Sequence, residues 1–145
     1  MNPTLVIGIG NTIRGDDGAG IRVVEQLAGR FPGVDVLCVH QLSPEHAEKV
    51  AQYERLVIVD ASVTTDTLRV TPLHANGDVR LPRTHSVSPG GILALAETLY
   101  RKTPADAILV EIPASSCDFT EELSSHTASV VEEAVGTVAT YVMRS

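Results

Sequence analysis

Leu5-Val6-Ile7-Gly8-Ile9-Gly10-Asn11-Thr12-Ile13-Arg14-Gly15-Asp16-Asp17-Gly18-Ala19-Gly20 starts as an apolar run broken by two glycines and passes through a polar turn. It then enters an amphipathic stretch reaching from about Asp17 to Phe31. Within that stretch Ile21, Val24, Leu27 and Ala28 recur at helical spacing, and Pro32-Gly33 supplies an ending typical of helices. Strand, loop, helix is the natural reading, and the loop carries two adjacent carboxylates.

The same alternation continues along the chain. Val34 to Val39 reads as a second strand, and Ser43-Pro44-Glu45 as an N-cap with proline in the first turn of a helix running to about Tyr53. Leu56 to Asp60 is nearly unbroken apolar sequence, as expected of a central parallel strand covered on both faces. Thr67 to Leu73 alternates more and predicts an edge or antiparallel strand. Ser88-Pro89 caps a helix through about Tyr100, and Ala107 to Ile112 is a fifth strand. The last helix begins near Glu121 or Ser125, runs to Met143, and gathers Val130, Val131, Ala134, Val135 and Val138 into one stripe. The expected fold is α/β: residues 1–145 as one three-layer α/β/α sandwich with a mostly parallel sheet of about five strands.

Composition narrows the function classes. A formal charge of -7 without a Lys/Arg cluster disfavours nucleic acid as partner, because phosphate backbones are held by dense positive charge. Aromatic residues make up 3% and tryptophan is absent, leaving little material for stacking on bases. Cys38 and Cys117 form no Cys-x-x-Cys unit, which fits a reducing compartment and argues against a structural zinc. The run from Leu5 to Ile9 is too short for a signal peptide or a membrane span, so a cytoplasmic protein without membrane insertion is expected.

In parallel sheets, ligands bind beyond the carboxyl ends of the strands, and that rule gathers scattered residues into a candidate site. Asp16 and Asp17 follow the first strand, His40 ends the second, Asp60 ends the third, and His85 precedes a helix that reaches the same edge. Two carboxylates and an imidazole suit a borderline divalent ion and leave coordination positions open. Structural roles compete: an aspartate here can cap a helix N-terminus. One cap explains one aspartate, so Asp16 is assigned the capping or supporting role and Asp17 the ligand role. Asn11 and His40 are supporting candidates, while His46, His74 and His126 read as surface residues.

Other chemistries lack their signatures. After Gly8-Ile9-Gly10 the next glycine is Gly15, which misses the Gly-x-Gly-x-x-Gly spacing, and two aspartates stand where a pyrophosphate needs bare N–H groups. Neither a Walker ending, nor a Gly-x-Ser-x-Gly elbow, nor a His-Glu-x-x-His pair occurs. Ser115, Ser116 and Cys117 read as a polar turn, so a hydrolase built on this chain uses water as nucleophile.

The segment from Gly8 to Gly20 resembles the signature of the hydrogenase maturation proteases. Val57-Ile58-Val59-Asp60-Ala61 is similar to that family's second acidic motif, and Thr84-His85, followed by Ser88 and Leu93-Ala94-Leu95-Ala96, to its histidine segment. Leu42-Ser43-Pro44-Glu45 and the closing helix fit as well, so the resemblance spans essentially the whole chain. It implies an endopeptidase that removes the C-terminal extension of a nickel-iron hydrogenase large-subunit precursor after nickel insertion. The family's nickel-contacting residues carry over to Asp17, Asp60 and His85, with nickel arriving in the substrate and with Asp17 or Asp60 positioning water. Some members have glutamate at the position of Asp17, and the residues after the histidine vary. Two alternatives stand beside this: a carboxylate pair sharing one proton, and a nickel-sensing or chaperone-like module that binds precursors without cutting.

Overall fold

Apolar runs rich in β-branched residues produce the central strands, and their pairing sets the frame. In the computed structural model, which describes residues 3–75 and 86–144, β1 (Thr4–Ile9) pairs in parallel with β2 (Val34–Val39) on one side and β3 (Arg55–Ser62) on the other. Beyond β3, the edge strand β4 (Arg69–Pro72) runs antiparallel to β5 (Asp106–Pro113), which itself lies parallel to β3. The order is β2-β1-β3-β5-β4. The chain leaves β1 toward β2 and returns past it to β3, so the topological switch point falls between β1 and β3, where α/β sheets open a crevice.

Alternation along the central strands builds two cores. Val6, Val57 and Val59 face α1 (Ala19–Leu27) and α4 (Ser125–Val142), packing with Val23, Val24, Val130 and Val138. Leu5, Ile7, Leu56 and Ile58 face α2 (His46–Val50) and α3 (Pro89–Tyr100), packing with Val50, Ile92 and Leu95. Leu5, Ile7, Leu56 and Ile58 are fully buried, each worth roughly 1.5–3 kcal/mol relative to exposure. Helices on both faces of a mostly parallel sheet make the three-layer sandwich that the sequence predicts.

Some boundaries differ from the sequence reading. The helix expected from Asp17 begins as a 3-10 turn at Gly15–Gly18, and α1 itself starts at Ala19. The tighter turn arises because Asp17 N–H bonds the Arg14 carbonyl while Gly15 and Asp16 donate outward, to the carbonyls of Thr120 and Ser116. Ser43 does not cap α2: its hydroxyl bonds Glu45 Oε1 and approaches His46 Nδ1, and the helix starts at His46. Ser88 does cap α3, accepting the Gly91 N–H at 3.0 Å with Pro89 in the first turn.

At the amino edge of the sheet Arg55 is buried, and its guanidinium donates to the carbonyls of Val142, Arg144 and Tyr141. Those of Tyr141 and Val142 are the last carbonyls of α4, which the helix cannot satisfy itself, and that of Arg144 follows just beyond it. A cation there also suits the negative end of the helix dipole.

Candidate functional site at the carboxyl edge

Gly20 fixes how closely α1 crosses the sheet. A Cβ at this position would lie 2.3 Å from the Val59 carbonyl oxygen and 2.8 Å from that of Ile9. The helix therefore rests directly on the carboxyl ends of β1 and β3 and brings the preceding turn over the switch point. Gly10, at φ +148°, lets the loop pass so near that turn that a Cβ would meet the Asp17 carbonyl oxygen at 2.0 Å.

Asp16 is fully buried and among the described residues has no cationic partner, yet its carboxylate is saturated. Oδ1 accepts from Ser124 N at 2.7 Å, and Oδ2 from Ser115 N at 2.8 Å, Ser116 N at 3.0 Å and the hydroxyls of Ser115 and Ser124. Burial pushes its pKa up, but the N–H groups of Ser124, Ser115 and Ser116 and the Ser124 hydroxyl outweigh it and hold the carboxyl well below the usual range. Asp16 caps neither the 3-10 turn nor α1. Instead it ties the β1–α1 loop to the β5–α4 loop and meets the positive end of α4 at its N-cap residue, Ser124.

Asp17 is half-buried and stands differently. Asn11 N–H donates to its Oδ2 at 2.9 Å, while among the described residues nothing bonds its other oxygen. Asn11 further orders the loop through its Oδ1, which accepts from Ile13 N. Asp60 lies on β3 in register with Glu111 of β5, and its Oδ1 accepts from Ala61 N at 2.9 Å. By strand alternation it shares the face of Leu56 and Ile58, the side from which the segment leading to α3 approaches, where Val87 N–H bonds the Leu42 carbonyl. Its pKa is pushed up to about 6: burial contributes most, the Ala61 N–H opposes, and the charges of Asp17 and Glu111 add to the rise.

Asp17 and Asp60 thus share one electrostatic environment across the switch point. No hydrogen bond joins their carboxyls among the described residues, so they do not form a proton-sharing dyad here. His85 lies outside the described residues, and among the others no set of three candidate ligands stands together. His40 is exposed beyond β2, two strands from Asp60 or roughly 10 Å by strand spacing. It lines a cavity of about 610 Å³ with Gln41, Ser43, Glu45 and His46, and a smaller one of about 190 Å³ with Gly10, Asn11 and Thr12. His46 Nδ1 accepts from Ser43 N, and the His126 ring lies 2.8 Å from the Asp66 carbonyl.

Sequence reasoning treated Ser115 and Ser116 as a plain turn and passed over Ser124 and Glu111. The run of small hydroxyl residues beyond a parallel strand was the available signal for a buried carboxylate partner. Glu111 was legible only through register with Asp60, and it is partly offset by Arg69 Nε at 3.7 Å.

Asp17 and Asp60 thus stand over the switch point of an α/β/α domain, where sheets of this kind bind their ligands. No family model and no curated protein matches the chain. Solved structures do. The hydrogenase maturating endopeptidase HybD of E. coli is 25% identical with a TM-score of 0.70, covering 98% of this chain and 92% of its own. A hydrogenase 2 maturation peptidase of a Thaumarchaeota archaeon is 25% identical with a TM-score of 0.71, covering 97% of each chain. The NiFe hydrogenase maturation protease HycI of Thermococcus kodakarensis, at 23% identity and a TM-score of 0.73, shares the fold over 99% of this chain and 94% of its own. Over nearly its whole length the chain is thus similar to hydrogenase maturation endopeptidases.

Proposed function

We propose that the chain removes the C-terminal extension of a nickel-iron hydrogenase large-subunit precursor, in the cytoplasm, and that it reads nickel already inserted in that substrate. The observation that carries this is Asp60, a carboxyl with a pKa pushed up to about 6 by burial and by the neighbouring charge of Asp17, at the mouth of the switch-point crevice. Two carboxylates brought together without a cation repel each other, and an incoming divalent ion relieves that repulsion. Asp17, Asp60 and His85 are the residues assigned to contact the substrate's nickel, whose Lewis acidity would polarise the scissile carbonyl.

The chain's own residues supply the rest. Asn11 N–H orients Asp17 and leaves one oxygen for the substrate. Asp17 or Asp60 positions the attacking water, and the proton that the water gives up passes to the departing amine. Asp16 keeps the loop that bears Asp17 in place.

The test mixes purified protein with its cognate precursor, with and without inserted nickel, and follows the C-terminal peptide by intact mass spectrometry. Turnover of the nickel-loaded form alone, beyond one equivalent, is expected. Binding of loaded precursor without cleavage assigns the chain to the nickel-sensing, chaperone-like class instead. Replacing His85 by Ala is expected to raise the KM for loaded precursor several-fold, and unchanged kinetics remove it from the ligand set.

A further inference from the structure

Three large apolar side chains stand exposed around the acids. Ile13 on the β1–α1 loop is 54% exposed, Val63 just beyond β3 is 79%, and Phe119 on the β5–α4 loop is 80%. These loops follow three neighbouring strands, β1, β3 and β5, so the side chains share the carboxyl edge. Arg14 and Thr120 form a parallel bridge, which sets Ile13 beside Phe119 in register. The position of Phe119 is maintained: the Arg14 guanidinium lies 4.6 Å from its ring centre and donates to the Cys117 carbonyl.

Among the described residues, charge around these side chains is mostly of one sign. Asp66, Asp118, Glu121 and Glu122 are exposed on the same loops. Among the described residues, the arginines on these loops are engaged locally: Arg14 as described, Arg22 with the Glu121 carbonyl and Glu25, and Arg69 with the Thr64 carbonyl and Glu111. Apolar side chains spread over three loops and rimmed by charge have the anatomy of a protein interface, whereas a short peptide needs only one groove.

We infer that the carboxyl edge is a docking surface for the folded body of the precursor, which presents to it an apolar face with a basic rim; this rests on the endopeptidase reading above. Ile13, Val63 and Phe119 grip the substrate protein, and the acidic rim attracts it. Selection of the substrate is thereby separated from cleavage at Asp17 and Asp60.

Steady-state processing of nickel-loaded precursor tests this with a Val63→Ser/Phe119→Ser double variant. The comparison is a Leu99→Ser/Met143→Ser variant, whose exposed apolar residues lie at the ends of α3 and α4. The first is expected to raise KM tenfold or more at unchanged kcat, Phe119→Leu to keep most of the affinity, and added salt to raise the wild-type KM. A KM within twofold of wild type for the Val63/Phe119 variant, or an equal rise in the Leu99/Met143 variant, overturns the docking surface while leaving the endopeptidase reading intact. Failure of the wild type to cleave loaded precursor defeats the endopeptidase reading, and this inference with it.

Discussion

Asp16 and Asp60 are both withdrawn from water at one sheet edge, and their surroundings drive them in opposite directions. Asp60 has a raised pKa, about 6, so its contribution to stability is full below the unfolded value near 4 and is lost as pH rises through 6. Replacing it with Asn is therefore expected to stabilise the metal-free fold by about 2 kcal/mol at pH 8, allowing for partial exposure, and by little at pH 3. The same variant, like Asp17→Asn, is expected to lose processing, the exchange of stability for activity common at functional sites. Urea melts at the two pH values, beside the processing assay, check both halves. Asp16 has the opposite sign: its lowered pKa gives stability that is full above pH 4 and lost as pH falls below it. Asp16→Ala strands several buried donors and is expected to cost about 3 kcal/mol or more at pH 7, read from the denaturant midpoint.

At the scale of elements, Gly20 decides the placement of α1. Adding a methyl where the nearest carbonyl oxygen would be at 2.3 Å forces the helix off the strand ends, and the turn bearing Asp17 with it. Gly20→Ala is expected to lower the melting temperature by several degrees and to reduce kcat as well; a variant with wild-type melting and activity contradicts the tight crossing. Elements also show what sequence discloses. Ser88-Pro89 and Ser43-Pro44 carry the same local signal, yet only Ser88 caps a helix, because Ser43 finds side-chain partners in Glu45 and His46. Strand existence and order of type were legible because apolar runs of this length have few alternatives, and the edge character of β4 was legible in its alternation. The placement of Asp16 was not, since its partners are about 100 residues away and no local pattern reports them.

Across the whole molecule, α4 is held at both ends by buried side chains of opposite charge. Asp16 meets its N-cap residue and Arg55 its last carbonyls, so each charge is opposed by the helix dipole and, among the described residues, by no salt-bridge partner. Arg55→Met keeps the apolar stem and removes the donors. It is expected to cost about 2 kcal/mol by thermal melting with processing per folded molecule unchanged, because Arg55 lies at the edge remote from Asp17. Loss of processing at full folding would show that the two edges communicate through the helix.

The reach of Asp16 also has a meaning in time. Its donors follow it by 99 to 108 residues, so locking this loop joins the two ends of the chain across the whole sheet. Contacts of that separation carry the largest loop-closure entropy and form late in folding. Processing activity in refolding experiments is therefore expected to return with this late lock, after the central strands have paired, and activity that returns together with strand pairing contradicts it.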